Sequence, residues 1–150
     1  MPLAEAEAYI AGYFARYAGV RVFLDATIAE ARARGYVTTV LGRRRYLPEL
    51  GAREPALRQF AERAATNTPI QGSAADLIKL AMLEVRKRLL GAGLRARLLL
   101  QVHDELVLEV PVAEVAAVIR TVREAMEGVW ALRIPLRVDV HEGANWTEAH

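Results

Sequence analysis

The chain has 150 residues, of which 53% are hydrophobic and 25% charged, a composition typical of a folded domain with a real core. Its formal net charge is only +2, so binding to nucleic acid would have to rely on local basic patches. The absence of cysteine excludes disulfides and thiolate metal sites. No apolar run reaches the length of a membrane span and the first residues lack a signal-peptide pattern, so a cytoplasmic location is expected.

Two helices are predicted at the start of the chain. Apolar residues recur at helical spacing over residues 3–17 and again over residues 20–31, and Gly35 suits the end of the second helix. The aromatic side chains of these helices are expected in the core.

A basic hairpin is predicted next. Residues 36–40 are rich in β-branched side chains, and a Leu-Gly turn leads into a second short strand that Pro48 ends. Arg43, Arg44 and Arg45 open this second strand, where alternate side chains point to opposite faces. One or two of them are therefore candidates for phosphate contact while another pairs internally, although a solvated basic loop is an equally good interpretation.

Two further helices are predicted around a polar junction. The third begins near Pro55 and is interrupted at residues 67–69, and the fourth begins at Ser73, whose spacing to Asp76 fits a capping pair. A series of potential hydrogen-bond donors crosses the junction at intervals of four residues: Arg63, Asn67 and Gln71. Amide side chains can donate to the acceptors that every base pair presents in the minor groove, but an ordinary helix junction would carry similar groups.

The most informative segment is a second hairpin. Two apolar runs, at residues 98–100 and 106–110, flank His103, Asp104 and Glu105. Adjacent carboxylates at the tip of a hairpin suit Mg²⁺, which takes oxygen ligands and keeps several waters. A solvated turn is the alternative interpretation.

The chain then predicts a helix after Pro111 and a strand at residues 136–141, where apolar and polar residues alternate strictly. Together these elements predict an α+β fold with an antiparallel sheet and packed helices.

With these residues in view, the chain resembles the C-terminal part of the polymerase domain of bacterial family A DNA polymerases, the DNA polymerase I family. Four segments in the family's order carry the resemblance, which covers essentially the whole chain: residues 35–46, 67–76, 101–106 and 145–150. The resemblance implies that residues 1–60 belong to the fingers region and residues 61–150 to the palm, whose antiparallel sheet carries the metal site.

The resemblance also implies roles for single residues. Asp104 would help to bind two catalytic Mg²⁺ ions, Glu105 would be the adjacent acid of the same metal site, and His103 would lie near the primer end. The implied partners are primer-template DNA and, in the complete enzyme, deoxynucleoside triphosphates.

The duplex contacts implied by the resemblance lie elsewhere in the chain. Arg63, Asn67 and Gln71 would contact the duplex near the primer terminus, with Gln71 facing the minor groove. The hairpin that carries Arg43 to Arg45 would lie near the template strand, without any indication of which arginine makes the contact.

Two parts that the family requires do not occur in this sequence: a first metal-binding aspartate on an earlier palm strand, and a fingers helix that holds the incoming nucleotide. The expectation is therefore a partial polymerase domain, inactive in isolation, of a replication and repair enzyme. Two alternatives stay open: a non-catalytic DNA-binding remnant, and a metal-dependent phosphohydrolase that uses the His-Asp-Glu turn.

Overall fold

The structure is a computed structural model that describes residues 2–149. Its helices and small antiparallel sheets confirm the predicted α+β class. The chain divides into two compact units, one ending at Ser73 and the other beginning at Ala74. The sequence placed its fingers–palm boundary earlier, after residue 60, and that assignment stays a prediction.

The elements of the first unit precede α4, which begins at the unit boundary, and the remaining elements belong to the second unit. In chain order they are α1 (Leu3–Arg16), α2 (Ala18–Arg34), β1 (Tyr36–Thr38), β2 (Arg44–Tyr46), a 3-10 turn (Pro48–Gly51), α3 (Pro55–Asn67), a π-helical turn (Thr68–Gly72), α4 (Ser73–Gly91), β3 (Arg97–Val102), β4 (Glu105–Glu109), a 3-10 turn (Val112–Glu114), α5 (Val115–Glu127) and α6 (Trp146–Ala149).

The core of the first unit forms where α2, the β1–β2 hairpin and α3 meet. Small side chains on the helices allow this close packing, and the buried apolar set is Ala31, Val37, Leu47, Leu50, Ala61, Ala64 and Ala65. Gly35 ends α2 in the left-handed conformation, with φ of 77°, and so turns the chain directly into β1. An ion pair between Arg32 and Glu62, 2.5 Å apart, links α2 to α3 at the surface.

The prediction that the aromatic residues of the first two helices are core is wrong. No residue of α1 is buried, and Tyr13, Tyr17 and Phe23 are 45%, 49% and 44% exposed. The apolar spacing predicted both helices correctly, but it does not show whether another part of the protein covers their apolar faces. Some of the rings are contacted by cations instead: the guanidinium of Arg21 lies 4.2 Å from the centre of the Phe14 ring.

The core of the second unit lies between α4, α5 and the β3–β4 hairpin. Val85 and Leu89 of α4 pack with Val118, Val122 and Ala125 of α5, and side chains of β4 cover this cluster. The β3–β4 ladder is antiparallel and has an irregular register between Leu98 and Leu100.

A carboxylate fixes the entrance to this hairpin. Glu114 accepts hydrogen bonds from the backbone N–H of Arg95 at 2.7 Å and from its Nε at 3.0 Å. The backbone hydrogen bond, followed by the one from the guanidinium, lowers the pKa of the Glu114 carboxyl.

The predicted strand at residues 136–141 is wrong. The segment has no regular secondary structure, and among the described residues it pairs with no strand. Side chains of α5 bind its backbone instead: Val138 donates its N–H to Glu127 Oε1 at 3.1 Å, and Arg123 Nε donates to the Val138 carbonyl at 3.4 Å. Alternation of apolar and polar residues therefore did not identify a strand here, because a strand also needs a neighbouring strand to pair with. Within residues 2–149, no helix is both long and apolar enough to span a membrane.

We expect the purified chain to associate with itself. The β3–β4 sheet has two strands and therefore two edges, and Leu99 and Leu100 on β3 are 52% and 49% exposed. Leu99→Lys should reduce association measured by sedimentation velocity, because a charge on an edge strand disfavours pairing. Val112→Lys, a matched change at a 92% exposed residue outside the sheet, should not. A monodisperse wild-type monomer with a sharp cooperative melt would contradict this expectation.

Candidate metal-site hairpin and nucleic-acid interface

The His-Asp-Glu segment forms the tip of the β3–β4 hairpin, as the sequence predicts. Val102 pairs with Glu105, so His103 and Asp104 are the two residues of the connecting turn. Turns of this length bring consecutive side chains to the end of a rigid ladder. His103, Asp104 and Glu105 are all exposed there.

The turn has an unusual backbone. His103 has φ of 54°, a left-handed conformation that only a few per cent of non-glycine residues adopt, although histidine is among the enriched types. The side-chain amide of Gln101 donates a hydrogen bond to the His103 carbonyl and so ties β3 to the turn. Gln101 belongs to the 101–106 segment that carries the family resemblance, but the sequence indicated no role for it. Its position two residues before the histidine was the available signal.

The donor set at this tip fits a hard divalent cation. Two adjacent carboxylates, on Asp104 and Glu105, are of the type and number that a protein supplies to Mg²⁺ when water and phosphate provide the other oxygens. Among residues 2–149, however, no group of three His, Asp or Glu side chains converges to form a complete metal site.

Arg44 and Arg45 lie on opposite faces of β2, and Arg43 immediately precedes this strand. Arg45 Nη1 donates to Thr68 Oγ1 at 3.2 Å, and Arg43 Nη2 donates to the Gly72 carbonyl at 3.2 Å. Arg44 lies on the other face, with its guanidinium 4.7 Å from the centre of the Tyr36 ring. A hydrogen bond with Tyr46 raises the pKa of Arg44, which therefore remains cationic.

A π-helical turn lies where the sequence predicts an interruption, between the end of α3 at Asn67 and the start of α4 at Ser73. Asn67, Thr68 and Ser73 all keep right-handed helical dihedral angles, so the backbone continues through Pro69 instead of breaking. Proline has no N–H and cannot complete the regular helical ladder, and a wider turn accommodates that loss. The side chain of Thr68 is buried and donates to the Ala64 carbonyl at 2.6 Å.

The predicted capping pair of Ser73 and Asp76 is also wrong. Ser73 itself is helical, accepts a hydrogen bond from the Val40 N–H at 2.8 Å and donates to the Pro69 carbonyl. Its hydroxyl therefore joins the hairpin to the π-helical turn instead of capping α4. Asp76 is only 7% exposed.

Arg63, Asn67 and Gln71 are all exposed in the first unit. Their neighbours Ala64, Ala65 and Thr68 are buried, so the polar series follows the outer side of α3 and of the π-helical turn. The arginine hairpin belongs to the same unit, whereas His103, Asp104 and Glu105 belong to the second unit.

Comparisons with known proteins assign the chain to a family. The family model described as DNA polymerase family A matches residues 1–148. The chain belongs to the family A DNA polymerases.

Individual relatives agree with this family assignment. The chain is 53% identical over 145 residues to DNA polymerase I of Geobacillus stearothermophilus, and 51% identical over 149 residues to thermostable DNA polymerase I of Thermus aquaticus. These alignments cover 97% and 99% of the chain but only 17% and 18% of the relatives. A solved structure of the POL domain of Pol1 from M. smegmatis, in complex with DNA primer-template and dNTP, matches with a TM-score of 0.96 and 49% identity. That match covers 99% of this chain and 26% of the other.

The left-handed turn makes a local prediction. Consider a chimera in which this chain replaces the matching segment of the Geobacillus stearothermophilus polymerase. His103→Val should destabilise the hairpin by about 1–3 kcal/mol, because β-branched residues are strained at positive φ. Hydrogen–deuterium exchange of the β3–β4 amides should accelerate accordingly. His103→Asn is the matched control, since asparagine tolerates this conformation, and equal exchange in both variants would show that the turn is not strained.

Proposed function

We propose that this chain is the C-terminal palm segment, with part of the fingers, of a template-directed DNA polymerase that acts in replication and repair. The proposed reaction transfers a nucleotide to a primer 3′-hydroxyl. The observation that carries this proposal is the His-Asp-Glu hairpin tip, which presents adjacent exposed carboxylates on a chain of this family. The proposed partners are primer-template DNA and deoxynucleoside triphosphates, which the solved relative in complex with DNA primer-template and dNTP supports. A cytoplasmic location is also proposed.

Asp104 and Glu105 are the proposed catalytic residues and would hold Mg²⁺ at the hairpin tip. In the complete enzyme two such ions would activate the primer hydroxyl and neutralise charge on the phosphates. The turn conformation of His103 fixes where Asp104 projects, and the Gln101 amide restrains that conformation. Preorganisation of this kind reduces the reorganisation needed when substrate arrives. His103 is proposed to lie near the primer end.

The first unit is proposed to hold the duplex. Asn67 and Gln71 are exposed amides that can donate to minor-groove acceptors common to all base pairs, which suits an enzyme that must accept every sequence. Arg63 and the three hairpin arginines supply local positive charge. Of the latter, Arg44 is the best candidate for direct phosphate contact, because Arg43 and Arg45 donate within the unit.

Asp104→Asn in the chimera should abolish nucleotide addition and leave duplex affinity within about twofold, since the carboxylate acts on the metal and not on the duplex. Single-turnover extension and fluorescence-anisotropy binding measure the two effects separately. Asp139→Asn removes a carboxylate from the irregular 136–141 segment and should change neither. Loss of binding with retained turnover of bound primer would refute the role of Asp104.

The 150-residue chain alone should not extend a primer in Mg²⁺. Two carboxylates at one tip do not form the bridged site that in-line transfer requires, and among residues 2–149 no third acidic or histidine ligand joins them. Weak, salt-sensitive binding to duplex DNA should survive through the exposed arginines. Primer extension that disappears on Asp104→Asn would show that these residues contain a complete site. Template-independent phosphoester hydrolysis would favour a phosphohydrolase instead.

A further inference from the structure

The β1–β2 hairpin and the π-helical turn form one hydrogen-bonded assembly. Three hydrogen bonds cross between them: Arg45 to Thr68 Oγ1, Arg43 to the Gly72 carbonyl, and Val40 N–H to Ser73 Oγ. They contact the π-helical turn near its beginning, at its last residue and immediately after it.

The packing at this junction is as close as the hydrogen bonding. A Cβ atom added to Gly72 would lie 2.8 Å from Cγ2 of Thr39, a separation that real Cβ contacts do not show. Thr39 is itself buried, and its hydroxyl accepts a hydrogen bond from the Arg43 N–H at 3.1 Å. The hairpin and the turn are therefore in direct contact at Gly72, with no space for a larger side chain between them.

Gln71 lies inside the segment that these contacts restrain, between Thr68 and Gly72, and its own side chain is exposed. A π-helical turn containing proline has less regular backbone hydrogen bonding than an α-helix, so its shape depends more strongly on outside partners. The contacts of Arg43 and Arg45 supply such partners.

We propose that Arg43 and Arg45 are positioning residues, which hold the π-helical turn in the shape that presents Gln71 to the minor groove at the primer terminus. Their guanidinium groups act on Thr68 and Gly72, whereas Arg44 on the opposite face makes the phosphate contact. This inference rests on the proposed function, because it assumes that Gln71 reads the primer terminus. It assigns three consecutive arginines to two different tasks.

The test compares variants of the chimera by the ratio of kcat/KM for extending matched and mismatched primer ends. Arg45→Ala removes the donor of one hydrogen bond, and Thr68→Val removes its acceptor while it keeps the side-chain shape and leaves Arg45 charged. The valine also loses the hydroxyl's own hydrogen bond to the Ala64 carbonyl. Both variants should lower the ratio by a factor of roughly two- to tenfold, the range that corresponds to one net hydrogen bond. The double variant should lose no more than Thr68→Val alone, because Arg45→Ala then removes a hydrogen bond that the valine has already abolished.

Salt dependence separates positioning from phosphate contact. Arg45→Ala should leave the slope of log affinity against log salt unchanged, whereas Arg44→Ala should reduce that slope by about one without changing the match-to-mismatch ratio. Gly72→Ala disturbs the same junction without altering any charge and should lower the ratio as Arg45→Ala does. Arg53→Ala, an exposed arginine of the same unit, is the matched control for loss of charge.

Gln71→Ala distinguishes failure of this inference from failure of the proposed function. In a Gln71→Ala background, Arg45→Ala should cause no further loss of the ratio. A reduced salt slope for Arg45→Ala together with an unaffected Thr68→Val would overturn the inference and make Arg45 a phosphate contact. An unchanged ratio in Gln71→Ala itself would instead refute the proposed reading role of Gln71, on which the inference depends.

Discussion

The organisation of the first unit depends on the hydrogen bonds that join the β1–β2 hairpin to the π-helical turn around Pro69. A proline inside a helical run normally costs about 3 kcal/mol or more and breaks or kinks the helix. Here the backbone keeps helical dihedral angles on both sides of the proline, and two hydroxyl groups add side-chain hydrogen bonds beside it. Thr68 donates to Ala64, and Ser73 donates to Pro69. The same hydroxyls accept hydrogen bonds from the β1–β2 hairpin, so the hairpin is held against the helical path on both sides of the proline.

The second unit also contains irregular backbone that a side chain stabilises, in the turn between β3 and β4. A two-residue connection between strands favours positive φ, for which glycine or asparagine is the usual choice. The chain places His103 there instead, with a φ of 54°, and the Gln101 amide holds the carbonyl of this residue. A residue in a disfavoured conformation persists where its surroundings restrain it, and such positions are frequent at functional sites. In both units, therefore, an amide or guanidinium side chain from a strand stabilises irregular backbone beside the proposed functional residues.

Local patterns in the sequence predicted the positions of most elements but not their partners. Two predictions that depend on backbone geometry over a few residues are confirmed. Gly35 ends α2, and the side chain of Arg44 points away from those of Arg43 and Arg45. Two predictions were wrong: that the aromatic side chains of α1 are buried, and that residues 136–141 form a strand. Burial and strand pairing both depend on a second surface, which the periodicity of one segment does not reveal. The π-helical turn was missed for a similar reason. Proline signals an interruption, and only the hydroxyl and arginine contacts around it decide whether the helical path continues.

Some features of the candidate site could likewise be predicted from the sequence, and others could not. The His-Asp turn was predictable, since a polar segment between two apolar runs of strand length has few other structures available. The roles of the arginines were not, since charge alone does not distinguish a guanidinium that binds phosphate from one that binds a carbonyl. The distinction matters here because the net charge of the chain is only +2. A chain without a general excess of positive charge depends on the placement of each arginine. Two of the three consecutive arginines, Arg43 and Arg45, donate to the protein's own backbone or side chains. Under the proposed function, the hairpin's effect on the duplex would come less from the number of its charges than from the backbone shape that two of them maintain.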